Sequence, residues 1–113
     1  MMILKENSEF QYVLKHGKWY GSELLMLYIC EKEQNFNRVG VAVGKKAGKS
    51  VIRNYLKRLI REAYRVNELD LVSGYDIVIV WRSSAKTNEV DFHIVEKNLL
   101  KCFKKADLLK IED

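Results

Sequence analysis

Dense apolar stretches separated by polar turns predict three β-strands in this chain. They cover residues 24–30, 38–43 and 75–81. The short polar link over 31–37 predicts that the first two strands form an antiparallel hairpin. The third strand is almost continuously apolar, and we expect it at the centre of the sheet because a central strand is covered on both faces.

Apolar residues at the i, i+3, i+4 spacing predict three helices. The helices cover residues 8–15, 50–67 and 88–104. Ser8 and Ser50 are the predicted N-caps of the first two, and Gly17 is predicted to end the first. In the third helix, the positions predicted to face the core are Val90, Ile94, Leu99 (or Val95) and Phe103. The charged tail, 105–113, is expected to fray.

The long second helix has one apolar arc and one cationic arc. The apolar arc contains Ile52, Leu56, Leu59, Ile60, Ala63 and Val66. The cationic arc contains Arg53, Lys57, Arg61 and Arg65, with Asn54 and Arg58 on its flank. We expect the apolar arc to pack on the sheet and the cationic arc to form a ladder with steps of about 6 Å.

The predicted order of elements, α-β-β-α-β-α, is typical of an α+β sandwich, and the length fits one domain over residues 1–113. The longest apolar run, residues 24–30, is much shorter than the roughly 20 residues of a membrane span. The N-terminus lacks the apolar segment of a secretory signal. We therefore expect a cytoplasmic protein in which Cys30 and Cys102 are free thiols.

The positive charge is concentrated in one segment. The chain has 20 Lys and Arg against 15 Asp and Glu, a formal net charge of +5. Eight of the cations lie between Lys45 and Arg65, where Glu62 is the only acid, so this segment carries +7 and the rest carries −2. Solvated helix faces usually alternate charges to form i,i+4 pairs. Clustering of one sign instead predicts a polyanionic partner.

The sequence shows no motif for catalysis or metal binding. The segment GKKAGKS over 44–50 has three residues between its glycines, whereas a nucleotide-binding P-loop needs four. His16 and His93 are the only histidines and have no adjacent cysteine, which argues against a zinc site. We therefore predict no catalytic residue and no metal ligand in this chain.

Aromatic residues crowd into the first quarter of the chain and suit two roles. They are Phe10, Tyr12, Trp19, Tyr20 and Tyr28. Such residues fill cores, and they also form platforms on which unpaired bases stack. Phe10 and Tyr28 are the two that we predict to line one groove, because a helix start and a mid-strand position can face each other.

The basic segment also has a recognisable pattern. Residues 45–65, KKAGKSVIRNYLKRLIREAYR, strongly resemble the signature of the bacterial ribonuclease P protein component family. The centre of that signature is matched by Arg53-Asn54, Lys57-Arg58 and Arg61-Glu62. The resemblance extends to LKENSEFQYVLKHGK over 4–18 and through the three predicted strands, so it covers nearly the whole chain.

The resemblance implies a non-catalytic subunit of a ribonucleoprotein endonuclease. The RNA subunit would remove the 5′ leader from precursor tRNA, with Mg²⁺ held largely by RNA and no cofactor on the protein. The implied partners are the ribonuclease P RNA and precursor tRNA, without a membrane or an obligate protein partner. The implied fold is a mixed sheet similar to domain 2 of ribosomal protein S5. It has a left-handed β-α-β crossover, although most crossovers are right-handed.

The resemblance also implies two sets of site residues. Those facing the RNA subunit are Lys45, Lys46, Lys49, Arg53, Asn54, Lys57, Arg58, Arg61 and Arg65. Those lining a cleft for the single-stranded leader are Phe10, Leu14, Tyr28 and Val41. Leu14 replaces a second aromatic of the family, and Tyr55 stands where many members carry another arginine.

Two other functions fit a basic helix on an α+β domain. One is a general RNA chaperone or ribosome-associated module without a role in tRNA maturation. The other is a protein-binding domain whose basic helix docks on an acidic partner.

Overall fold

The computed structural model describes residues 1–111, which form one mixed sheet and three α-helices. The strands are β1 (Met2–Ile3), β2 (Lys18–Gly21), β3 (Leu25–Glu31), β4 (Arg38–Ala42) and β5 (Tyr75–Trp81). The helices are α1 (Asn7–His16), α2 (Ser50–Asn67) and α3 (Phe92–Lys105), and short 3₁₀ turns cover Lys45–Ala47 and Glu68–Asp70. The predicted α+β class is confirmed.

The strands are arranged in the order β1-β4-β5-β3-β2. β5 is central, as its apolar sequence predicted, and pairs in parallel with β4 and antiparallel with β3. β4 and β5 are thus parallel neighbours joined through α2, which gives the expected β-α-β unit. The left-handed sense of that crossover stays a prediction.

The predicted hairpin of β3 and β4 is wrong, because β5 lies between these two strands. The segment after β3 crosses the start of β5 instead of turning back into β4. Tyr75 N donates to Asn37 Oδ1 at 2.9 Å, and Gly74 N donates to the Phe36 carbonyl at 3.2 Å. Pairing with β5 gives both strands an almost continuously apolar neighbour, which a local two-stranded hairpin cannot provide.

The sequence did not predict the edge strands β1 and β2. Both are short and mostly exposed, so they carry little apolar signal. β2 pairs with β3 directly after Gly17 ends α1, as that glycine predicted. A Cβ on Gly17 would lie 2.5 Å from the Val13 carbonyl oxygen and 2.9 Å from that of Ile29, so only glycine fits this close approach.

Neighbouring side chains of a strand point to opposite faces of the sheet, and each face has its own hydrophobic core. In β5, Ile77 and Ile79 face the larger core under α2 and α3, whereas Val78 faces the smaller core under α1. The smaller core consists of Leu4, Val13 and Val78. The sheet therefore has one face covered by two helices and one face covered only in part, by α1.

Several predicted helix ends differ from those in the structure. Glu6 and Lys49, rather than Ser8 and Ser50, occupy the N-cap positions, and neither side chain caps its helix. α3 begins after Asp91, whose carboxylate accepts a hydrogen bond from Ile94 N at 2.9 Å, and not at residue 88. Ile94 is exposed, contrary to prediction, because the buried arc of α3 runs through Val95 and Leu99 instead.

The other predicted core positions of α3, and the thiols, are confirmed. Val90, Val95, Leu99 and Phe103 are buried. Cys30 and Cys102 are free. The tail does not fray up to residue 111, because Leu108 is buried and Leu109 forms a bridge with Leu71. The last two residues of the predicted tail lie outside the described residues.

Candidate nucleic-acid interface

Helix α2 is rolled relative to the orientation predicted from its apolar arc. Its buried residues are Leu56, Ile60, Ala63 and Tyr64. Ile52 and Val66, predicted to be buried, are 37% and 47% exposed. Tyr64 packs edge-on against Phe103 of α3, with ring centroids 6.4 Å apart. Contact with a second helix, which single-helix periodicity does not contain, therefore sets the roll of α2.

This roll changes the environment along the cation ladder. Arg53 and Lys57 lie at the border of the buried arc and are half-buried, whereas Arg58, Arg61 and Arg65 are exposed. Asn54 is exposed as well. Because a step of four residues turns a helix about 40° beyond a full turn, the ladder winds from the core boundary towards solvent.

Most cations of α2 are free of carboxylate partners. Within residues 1–111, none of Arg53, Lys57, Arg58 and Arg61 forms an ion pair with a carboxylate. The Arg53 Nε donates to the Gly48 carbonyl at 3.2 Å, and the Arg58 guanidinium lies 5.7 Å from the centre of the Tyr55 ring. Positive charge on this face is therefore available to an external anion.

Arg65 is the exception in the ladder. Its guanidinium donates to both carboxylate oxygens of Glu62, through Nε at 3.1 Å and Nη2 at 2.5 Å. The hydrogen bond from Arg65 lowers the pKa of Glu62. Both side chains are exposed, so this pair is weak and can exchange for an external anion.

The basic loop before α2 is fixed at its base and exposed at its tip. Ala47 is buried, whereas Lys45, Lys46 and Lys49 are exposed. Gly48 has φ 139°, and a Cβ there would lie 3.0 Å from Ile52 Cδ1. The loop therefore leads into α2 with a defined direction and places its lysines beside the first turn of the ladder.

Phe10, Leu14 and Tyr28 come together on the α1 face of the sheet. All three are half-buried and pack around the small core of Leu4, Val13 and Val78. The Phe10 ring lies directly on the backbone of Gly40, where a Cβ would be 2.7 Å from two ring carbons. Half-burial leaves part of each side chain open to a ligand, as a cleft requires.

Val41 does not belong to this cleft, and its predicted place there is wrong. It pairs with Ile79 across the ladder and packs with the larger core under α2 and α3. Neighbouring residues of a strand face opposite sides, so the β4 position on the cleft side is Gly40. Gly40 has no side chain, so the Phe10 ring packs directly on its backbone, and no sequence pattern indicated this position.

An ion-pair network attaches α1 to the sheet beside this cleft. Arg38 donates to buried Asp76 of β5 through Nε at 2.9 Å and Nη2 at 2.7 Å, and its Nη1 lies 2.7 Å from the Glu9 carboxylate of α1. Burial would raise the pKa of Asp76, but hydrogen bonds from Arg38 and Gln34 together lower it below its usual value. The hydrogen bonds of Arg38 with Asp76 and Glu9 in turn raise the pKa of Arg38. Sequence reasoning missed this network because its members come from distant parts of the chain.

Comparison with known proteins gives consistent matches along the chain. The family model described as Ribonuclease P matches residues 1–107. The "Ribonuclease P protein component" of Clostridium botulinum strain 657 is 45% identical over 106 residues, covering 93% of this chain and 94% of that protein. The protein of the same name from Natranaerobius thermophilus is 39% identical over 110 residues, covering 97% and 94%.

The fold also resembles solved structures of RNase P proteins. The RNase P protein of Staphylococcus aureus matches with a TM-score of 0.85 and 29% identity, covering 97% of this chain and 99% of that one. The RNase P protein of Thermotoga maritima matches with a TM-score of 0.80 and 31% identity over the whole of both chains.

Fold and charge distribution together define a small α+β protein with one strongly cationic helix, of the kind found in ribonucleoproteins. More particularly, the chain belongs to the ribonuclease P protein family. It is accordingly a subunit of ribonuclease P, the endoribonuclease that acts in tRNA processing. No helix within residues 1–111 is both long enough and apolar enough to span a membrane.

Proposed function

We propose that this chain binds the ribonuclease P RNA through the cationic side of α2 and its basic loop. It holds the 5′ leader of precursor tRNA in the cleft on the α1 face, while the RNA subunit carries out cleavage. The observation that supports this most strongly is the set of α2 cations that form no ion pair with any carboxylate of residues 1–111, namely Arg53, Lys57, Arg58 and Arg61.

Guanidinium groups suit this role because their planar donors match the geometry of phosphate oxygens. Neutralising phosphates releases counterions from the RNA, so binding is steeply salt-dependent. Exposed Asn54 adds a directed hydrogen bond to a phosphate or a 2′-hydroxyl group. Lys45, Lys46 and Lys49 extend the cationic surface beyond the start of the helix.

The cleft suits a single strand because half-buried Phe10, Leu14 and Tyr28 offer apolar surface to unpaired bases. Such contacts carry little sequence information, so one protein serves precursors with different leaders. The protein thereby holds a substrate RNA next to a catalytic RNA, and its cations offset their mutual repulsion.

The proposed contribution of the protein to catalysis is charge and positioning rather than proton transfer. Arginine stays protonated in proteins and does not serve as a general acid or base. Mg²⁺ held by the RNA supplies the chemistry of cleavage in this proposal. The cationic face lowers the Mg²⁺ concentration at which the two RNAs associate.

Reconstitution tests this function. Transcribed ribonuclease P RNA and the purified protein are mixed with precursor tRNA over a range of Mg²⁺ concentrations. We expect leader removal at low Mg²⁺ only when both are present, and none from the protein alone. Equal activity of the RNA with and without protein at every Mg²⁺ concentration, or cleavage by nuclease-free protein, would contradict the proposal.

The leader cleft is tested separately with Phe10→Ala. We expect the reconstituted variant to lose affinity for leader-bearing precursor, by roughly the 1–3 kcal/mol of one stacked base, and to keep its affinity for mature tRNA. Tyr12→Ala is the matched control, because Tyr12 lies on the same helix but is 49% exposed and outside the small core. Equal losses on both RNAs would place the leader elsewhere.

A further inference from the structure

A second group of cations lies away from α2, at the end of the sheet where β2 turns into β3. Arg82, Lys101, Lys104 and Lys105 line a concavity of about 720 Å³ together with Gly21, Ser22 and Glu23. Four cations and one carboxylate give this second basic surface a formal charge of +3. Sequence analysis missed it because Arg82 follows β5 whereas the lysines belong to α3.

The positions of two of these cations are fixed by the backbone of the β2–β3 turn. Arg82 Nη1 donates to the Ser22 carbonyl at 2.9 Å, and Lys105 Nζ donates to the Gly21 carbonyl. Carbonyl contacts leave the charge of each cation uncompensated. Within residues 1–111, no carboxylate forms an ion pair with any cation of the second basic surface.

Stabilisation of the α3 dipole accounts for only part of this cluster. Lys104 and Lys105 lie in the last turn of α3, where positive charge is favourable. Lys101 lies a turn earlier, and Arg82 comes from a different element altogether. The convergence of cations from two elements on one concavity therefore indicates an external anion.

The second basic surface is continuous with the proposed leader cleft. Val80 packs with the small core that carries Phe10 and Tyr28, and it also lines a concavity of about 480 Å³ with Met26, Lys45 and Lys46. Arg82 lines both this concavity and the second one. Val80 and Arg82 thus connect the cleft, through the first concavity, to the lysines of α3.

We propose that the second basic surface binds the sugar–phosphate backbone of the 5′-distal part of long leaders, beyond the nucleotides held in the cleft. This inference rests on the proposed function of the cleft. Among the residues that the structure describes, no aromatic side chain lines the second concavity, so the contacts are made to phosphates rather than to bases. Binding there is therefore indifferent to leader sequence and sensitive to both leader length and salt.

The test uses the reconstituted holoenzyme and two precursors of the same tRNA. Their leaders have about 4 and about 16 nucleotides, the range of site sizes of small single-strand-binding domains. The variant is Lys101→Ala with Lys104→Ala; both side chains are exposed, and Lys105 is left intact because it contacts the turn. The control, Lys5→Ala with Lys110→Ala, removes the same charge from exposed residues outside both concavities.

We expect the variant to bind the long-leader precursor roughly 10-fold more weakly than wild type does, and the short-leader precursor equally well. The plot of log affinity against log salt for the long leader should become shallower by about 1.4, because each phosphate contact on a single strand contributes about 0.7. Lys101→Arg with Lys104→Arg should restore both values, and the control variant should resemble wild type.

Equal losses on both leaders, no loss on either, or a loss confined to assembly with the RNA subunit would each overturn this inference. The last result would assign the second basic surface to the RNA subunit. None of these results affects the proposed cleft, which fails separately if wild-type holoenzyme binds leader-bearing precursor no better than mature tRNA.

Discussion

Gly40 and Phe10 show how one missing side chain shapes the cleft. The Phe10 ring occupies the space that a Cβ on Gly40 would need, since such a Cβ would lie 2.7 Å from two ring carbons. Arg38 holds α1 to the sheet through Glu9, so the helix that carries Phe10 has little freedom to move away. The position of the ring is therefore set by a glycine and an ion pair together.

Gly40→Ala is expected to destabilise the protein and displace Phe10. Overpacking costs roughly 1–3 kcal/mol, which exceeds the roughly 0.5–1 kcal/mol gained by removing a glycine from a strand. A net loss of about 1 kcal/mol lowers Tm by about 4 °C. Thermal unfolding measures this, with Gly44→Ala as control, because a Cβ on Gly44 meets no atom within 4 Å. Equal stability of the two variants would show that α1 can shift away from the sheet without a cost in stability.

Asp76 is a second residue whose effect on stability depends on its partners, because its buried carboxylate accepts hydrogen bonds from Arg38 and Gln34. Asp76→Asn leaves Arg38 without its buried carboxylate, and we expect the free energy of unfolding at pH 7 to fall by roughly 1.5–3 kcal/mol. Because folding lowers the pKa of Asp76, its contribution is complete above the usual value near 3.8 and is lost as the pH falls through the folded value. The difference between wild type and variant should therefore shrink below pH 4.

Denaturant unfolding at pH 7 and pH 3 measures this dependence. Asp70→Asn is the control, because Asp70 is exposed and its change is expected to stay within about 0.5 kcal/mol at both values. A gap between wild type and Asp76→Asn that is as large at pH 3 as at pH 7 would assign the effect to packing rather than to charge.

At the scale of elements, local patterns predicted where strands and helices lie but not how they meet. β5 was predicted with its observed bounds, because it is long and almost continuously apolar. The predicted β3–β4 hairpin was wrong because both strands pair with β5 instead, and β5 lies more than 30 residues further along the chain. Likewise, the contact of Tyr64 with Phe103 sets the roll of α2, and periodicity within one helix contains no information about it.

The candidate site likewise contains residues that the sequence predicts and residues that only the folded structure brings together. The cations of α2 are visible in the sequence because they share one helix. The aromatic pattern predicted Phe10 and Tyr28, and the resemblance added Leu14. The prediction for Val41 was wrong because neighbouring residues of a strand face opposite sides of the sheet, and Val41 faces the larger core. The Arg38–Asp76 pair and the second basic surface were not predicted, because each joins elements that only the folded chain brings together.

Within α2, the pairing of Glu62 with Arg65 limits the charge that the helix presents. Glu62→Gln removes the only carboxylate of the basic segment and frees Arg65. We expect affinity for the ribonuclease P RNA to rise modestly at low salt, since an exposed ion pair is weak and its loss leaves Arg65 free to contact phosphate. Filter binding measures this change, and Glu68→Gln, outside the segment, serves as control. A fall in affinity would mean that Glu62 orients Arg65 for binding rather than competing with RNA.

At the scale of the whole molecule, the two faces of the sheet have different tasks. α2 and α3 pack over the larger core on one face, and α2 also carries the cation ladder. The other face is covered only by α1, which leaves room for a single strand along the sheet. The basic loop and Arg82 lie where these surfaces meet, so one small domain contacts two RNAs at once in the proposed function.

The salt dependence of RNA binding shows whether the cationic side of α2 binds the ribonuclease P RNA by neutralising phosphates. Arg58→Ala with Arg61→Ala removes two exposed cations without buried contacts, whereas Arg53 also supports the loop through Gly48. We predict that the slope of log affinity against log salt becomes shallower by about 1.8, with unchanged circular dichroism. A slope equal to that of wild type would show that Arg58 and Arg61 do not neutralise phosphates of the RNA.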